Sequence, residues 1–216
     1  QQAAILGNLG NVAYARGDLA AAEEYHKRAL KIDEELGRKK GMAIRLGNLG
    51  IVAATRGDLA AAEDYYNRAL KLDEEFGSKQ GMAADLGNLG IVARRCGDLA
   101  AAEDYYARSL AISDEIGAKE SSAIQLNNLG VVAKTRGDLA AAEDYYKRAL
   151  KLDEELGSKE GVAIRLGNLG VVAAERGDAQ TARALYQRAL ALFDEMGARE
   201  HEHAKLCRAN LATLGD

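Results

Sequence analysis

The chain has no proline and no tryptophan, only two cysteines, and aromatic residues at 5% of its 216 positions. A globular enzyme of this size normally uses proline in its loops and at its sheet edges, where the ring fixes φ. Its complete absence points to a helix-only chain with very short connections. The two cysteines, Cys96 and Cys207, lie far apart and match no metal-ligand spacing. They read as ordinary reduced thiols of a cytoplasmic protein. No apolar run approaches the roughly 18 residues that span a bilayer, and no charged-then-apolar leader is visible, so no membrane partner is expected. Basic residues do not dominate either: 29 stand against 33 acidic ones, for a formal charge of −4. That balance argues against a nucleic-acid partner. What is abundant is apolar surface, at 48% of the residues, and glycine, at 23 positions. The chain opens Gln1-Gln2 with a helix expected to start at once, which reads as an excerpt from a longer protein.

An internal repeat organises the sequence. Leu-x-Asn-Leu-Gly recurs at Leu6–Gly10, Leu46–Gly50, Leu86–Gly90, Leu126–Gly130 and Leu166–Gly170, 40 residues apart each time. Segments 46–85 and 126–165 are identical at 31 of 40 positions. Five units fill residues 6–205, and a divergent partial sixth, 206–216, is expected to be a helix capping the last apolar face of a single array over 1–216.

Each unit reads as two helices. In the second copy, helix A is expected over about 40–55 and helix B over about 58–76. Arg56-Gly57-Asp58 separates them, with Gly57 as the left-handed residue after helix A and Asp58 as the N-cap of helix B. Gly77 ends helix B in the same way, and Ser78 caps the next helix. At 100° per residue, Leu46, Leu49, Gly50 and Ala53 share one face of helix A, with Val52 beside it. Leu59, Ala62, Tyr66, Ala69 and Leu70 form the inward stripe of helix B. Gly50 and Ala62 let the backbones approach, and Tyr66 fills the space next to them. Outward-facing Asp64–Arg68 and Lys71–Glu75 stand at i,i+4 spacing. The acidic runs at 33–35, 73–75 and 153–155 read as a solvated rim. The expected fold class is all-α, a right-handed α-solenoid of antiparallel helix pairs.

These residues resemble the tetratricopeptide repeat. The matches are Leu49, Gly50, Gly57, Ala62, Tyr66 and Ala69 in the second copy, and Leu129, Gly130, Gly137, Ala142, Tyr146 and Ala149 in the fourth. Ala53 stands where the family often has Tyr, Glu74 where it often has Pro, and His26 replaces the helix-B aromatic in the first copy. The usual unit has about 34 residues; the six added here lengthen the helices by about nine ångströms if all are helical. The long unit with Leu-Gly-Asn is similar to the Leu-Gly-Asn repeat proteins that link G-protein signalling to spindle orientation, and to long-unit bacterial signalling arrays. In the former the Asn of each motif lines a groove that holds an extended peptide. The matching residues are Asn8, Asn48, Asn88, Asn128 and Asn168. No Gα-binding motif is present, so that pathway does not carry over.

The face of helix A opposite the packed one, Ile44, Gly47, Asn48, Ile51, Ala54 and Thr55 in the second copy, is expected to be the concave wall. Its amides suit a peptide backbone or a neighbouring helix. The copies differ where the second has Ala54-Thr55. The third has Arg94-Arg95 and the fourth Lys134-Thr135. With Ile91 and Val131 as an apolar floor, this stretch suits an acidic side chain or C-terminal carboxylate. Arg-Gly-Asp at 16–18, 56–58, 136–138 and 176–178 is explained by turn chemistry rather than adhesion. His201 and His203 are two apart and diverge by about 200° on a helix, so helix-start polarity is preferred to a metal site.

No phosphate loop, nucleophile elbow or isolated carboxylate pair appears, so neither catalysis nor a cofactor is expected. The expected function is a protein-interaction module taking a peptide of a partner in its groove. The rival is a structural spacer or self-assembling scaffold, consensus-like or designed. The near-identity of the copies favours that rival, since specific binding diversifies the wall.

Overall fold

The computed structural model describes residues 1–214, and those residues form two compact units, one within 1–116 and one beginning at Gly117. The first unit contains α1 (Gln2–Ala15), α2 (Leu19–Glu35), α3 (Lys39–Arg56), α4 (Leu59–Phe76), α5 (Lys79–Arg95) and α6 (Leu99–Glu115). The second contains α7 (Lys119–Thr135), α8 (Leu139–Leu156), α9 (Lys159–Glu175), α10 (Ala179–Glu195) and α11 (Glu202–Thr213). No strand occurs among the described residues. Odd-numbered helices through α9 are the A helices of the repeat, and even-numbered ones the B helices. Each packs on its chain neighbours within its unit, in the manner of an all-α solenoid of helix pairs. The terminal helix begins at Glu202, earlier than the expected 206, and Gly215 and Asp216 of that expectation lie outside the described residues.

The turns follow from local chemistry. Gly57 has φ +90°, its N–H donates to Ala54 O at 3.2 Å, and the Asp58 N–H donates to Ala53 O at 3.0 Å, a Schellman closure. The Asp58 carboxylate then accepts the Ala61 N–H at 3.0 Å, which starts α4. The Ser78 hydroxyl accepts the Gly81 N–H at 3.2 Å to start α5. Arg56 completes its Arg-Gly-Asp by pairing with Glu23 at 2.6 Å, so all three residues of that motif serve the turn and its surroundings.

The core of each pair is an aromatic ring on a glycine. A Cβ at Gly50 would stand 2.5 Å from Tyr66 Cε1, and one at Gly130 would meet Tyr146 at the same distance. His26 takes this place in the first copy, buried against Gly10. Burial and then the Arg45 charge push its pKa down, so it packs as a neutral ring. Leu46, Leu49, Val52 and Ala62 are all essentially buried around this contact.

Candidate functional site

Successive A helices touch through their polar faces, and those contacts define a continuous strip in each unit. In the first unit Tyr14 Oη and Thr55 Oγ1 are 3.0 Å apart, joining α1 to α3. Asn48 Nδ2 donates to Asn11 Oδ1 at 3.5 Å between the same helices. Arg95 Nη1 donates to Ala54 O at 2.7 Å, joining α5 to the end of α3. In the second unit Asn168 Nδ2 donates to Asn127 Oδ1 at 2.8 Å, and Lys134 Nζ reaches Glu175 Oε1 at 3.5 Å, joining α7 to α9.

The sequence candidates therefore divide. Asn8 is exposed and Asn88 half-buried, and neither side chain makes a hydrogen bond among the described residues. Asn48 and Asn168 bridge neighbouring helices, and Asn128 Nδ2 donates to Gln125 Oε1 at 3.5 Å. Ile44 and Ile51 on α3 and Ile91 on α5 are exposed, and Val131 on α7 is half-buried, so apolar surface does line the strip. Arg94 and Arg95 belong to the first unit, and Lys134 to the second. Arg95 and Lys134 have the partners given above. The Arg94 charge lies beside the buried Tyr106, whose pKa burial raises and Arg94 partly lowers.

Two expectations need correction. Glu75 does not pair with Lys71; its carboxylate accepts from Lys39 Nζ at 2.6 Å, because the start of α3 lies alongside the end of α4. The same pairing of an A-helix start with its own B-helix end recurs in Lys79–Glu115, Lys119–Glu155 and Lys159–Glu195. The acidic runs are also not wholly a solvated rim: Asp33, Asp73 and Asp153 are buried. Residue 33 follows Ala29 and Leu30 by four and three positions, one helical turn, which puts it on the inward face. Each of these carboxylates rests on a glycine, Gly41, Gly81 or Gly161, that leaves no room for a Cβ.

What each carboxylate meets on the following A helix varies between copies, and sequence reasoning missed this. Asp33 Oδ2 lies 3.5 Å from Arg45 Nε, and Arg165 Nε donates to Asp153 Oδ2 at 3.0 Å. Asp73 instead meets Asp85. Burial first, and the Asp73 charge second, push the Asp85 carboxyl up to about 8. Arg45, Asp85 and Arg165 occupy one position of the repeat, so comparing copies at a position one turn past an inward stripe would have exposed the variation.

At the end of the second unit, His201 caps α11 by accepting the His203 N–H at Nδ1, 3.2 Å away, and stacks on Phe193 with centroids 4.9 Å apart. No group of three or more metal-binding side chains occurs among the described residues. Among those residues, too, no helix is long and apolar enough to cross a membrane.

Paired helices, glycine-seated aromatics and a strip along the A helices define a helical-repeat protein of the interaction-scaffold class. The tetratricopeptide repeat pattern matches residues 1–75, 82–155 and 120–195, and the chain belongs to that family. Among solved structures it is similar to BtubC (BKLC) from P. vanneervenii, with 25% identity, 89% of this chain and 80% of that one covered, and a TM-score of 0.81. It is also similar to the apo form of RapI, at 16% identity over 99% of this chain and 84% of that one, with a TM-score of 0.85. A putative kinesin light chain with nearly identical TPR-like repeats from Podosopora anserina aligns at 14% identity over 88% and 94%, with a TM-score of 0.72. The last two likenesses show the fold alone. No curated protein matches the chain.

Proposed function

We propose that this chain is a cytoplasmic protein-interaction module, without catalysis of its own, that holds an extended peptide of a partner along the groove lined by its A helices. The observation that carries this reading is the uncommitted amide of Asn88, flanked on α5 by exposed Ile91 and exposed Arg94. A polar side chain that serves no neighbouring helix, beside apolar and cationic surface, offers backbone recognition, an anchor contact and a charge together. In the same unit Asn8 adds a second such amide, and Asn48 and Arg95 extend the surface; in the second unit Asn128, Asn168, Val131 and Lys134 line the corresponding strip. The partner it suits has an acidic residue or C-terminal carboxylate beside an apolar side chain. A pull-down with the chain as bait, followed by competition with synthetic peptides from each captured protein, tests this. Peptides with that pattern should compete; competition only by peptides lacking it contradicts the reading.

A second reading, a self-assembling scaffold, rests on a different face. Leu9 and Val12 of α1 are 43% and 47% exposed, whereas Leu49 and Val52, their equivalents in the second copy, are buried beneath the preceding B helix. A further helical repeat would cover them, and in the scaffold reading a second copy of the chain supplies it. Light scattering over a concentration series distinguishes the two: Leu9→Asp should abolish association if this face drives it.

A further inference from the structure

The second unit contains a cleft outside the amide strip. It has a volume of about 380 Å³, within the size range of small-ligand and side-chain pockets. The start of α7 supplies Glu120 and Ile124, the end of α8 supplies Asp153 and Leu156, and the first turns of α9 supply Glu160 and Ile164. Ile124 and Leu156, which are 48% and 44% exposed, both line the cleft.

Its charge is one-sided. The Asp153–Arg165 pair at its base is buried and self-neutralising. Lys119 and Lys159, which could otherwise balance the rim, are held by Glu155 and Glu195. Glu120 has no ion-pair partner among the described residues, and Glu160 has only His201, 3.4 Å away. In the same repeat positions of the first unit, 80 residues earlier, Glu120 and Glu160 correspond to Lys40 and Gln80, and Ile164 to Ala84. Ile44 and Phe76 stand where Ile124 and Leu156 do, so the apolar walls are common to both units and the acidity is what distinguishes the second.

We infer that this cleft is a docking site for a partner segment in which an apolar side chain stands next to a lysine or arginine. The aliphatic group enters between Ile124, Leu156 and Ile164, and the cation meets Glu120 and Glu160 at the rim. Burial of the aliphatic group supplies affinity, and the carboxylates select the sign of the neighbouring charge. This site uses none of the Asn, Arg or Lys residues of the amide strip and stands whether or not that strip binds a peptide.

The test uses two blocked peptides, Gly-Ser-Leu-Lys-Leu-Ser-Gly and the same sequence with Glu in place of Lys, titrated into the isotopically labelled chain and followed by NMR. The lysine peptide should shift the amides of Glu120, Ile124, Leu156 and Ile164 and bind about tenfold more tightly than the glutamate peptide. Glu120→Gln with Glu160→Gln, both exposed positions, should reduce that preference to less than about threefold, and Ile124→Ser should weaken both peptides. Equal affinity for the two peptides, no saturable shift with either, or shifts that map elsewhere would overturn the assignment.

Discussion

Asp85 stands beside Asp73 at the α4–α5 junction, a carboxylate against a carboxylate where the α8–α9 junction pairs Asp153 with Arg165. The Asp85 carboxyl rises to about 8, against an ordinary value of about 3.9. Burial raises the Asp73 carboxyl as well, opposed by Lys40. Because the folded-state pKa of Asp85 is raised, its contribution is fully present below the unfolded pKa and is lost as pH rises toward 8. Stability should therefore fall between about pH 4 and pH 8, by on the order of a few kcal/mol from this group. Thermal melts across that range should show the slope, and Asp85→Asn should flatten it and melt higher than the parent at pH 8.5. An unchanged slope in the variant would place the titrating group elsewhere.

The contact between Gly90 and Tyr106 sets the spacing of α5 and α6. A Cβ at Gly90 would lie 2.5 Å from Tyr106 Cε1, and Tyr106 is fully buried, so the ring has nowhere to retreat. Gly90→Ala should cost roughly 1–3 kcal/mol in chemical denaturation by overpacking. Pairing it with Tyr106→Leu should recover part of the loss, since the two changes act on one contact.

The α7–α8 turn gives a cleaner backbone test. Gly137 has φ +81° with open space around its Cα, so a side chain there meets strain but no clash. Gly137→Val should destabilise by about 1 kcal/mol or more. The Asp138 carboxylate accepts the Ala141 N–H at 2.9 Å, and Asp138→Ala should cost roughly 0.5–2 kcal/mol. Neutral behaviour of both in urea unfolding would contradict the turn geometry.

The repeat made the fold legible. Gly57, Asp58 and Tyr66 do the same local work in almost every copy, so spacing and turn chemistry locate the helices to within a residue or two and seat the ring on Gly50. The buried junction was not legible in the same way. Asp33, Asp73 and Asp153 sit in runs of acidic residues that look solvated, and only their helical phase relative to Leu30, Leu70 and Leu150 places them inward. Their partners lie 12 residues on, in the next helix, and helix-surface spacing rules do not reach across a turn. The same limit misassigned Glu75 to Lys71 when Lys39 of a neighbouring helix is its partner. On the A-helix strip the residue types were readable, but which amides are already engaged depends on the approach of adjacent helices. Asn168 and Asn88 look alike in sequence; one bonds Asn127 and the other bonds nothing among the described residues.

The central claim, peptide recognition along the A helices, is tested most directly by calorimetric titration of a captured partner peptide into the parent chain and two double variants. Asn8→Ala with Asn88→Ala, the two strip amides of the first unit that bond no neighbour among the described residues, should weaken every such peptide to a similar degree if amides hold its backbone. Arg94→Glu with Arg95→Glu should weaken acidic peptides about tenfold or more, and the effect should shrink at high salt. Affinity unchanged in both variants would contradict the account and move binding off the A-helix strip.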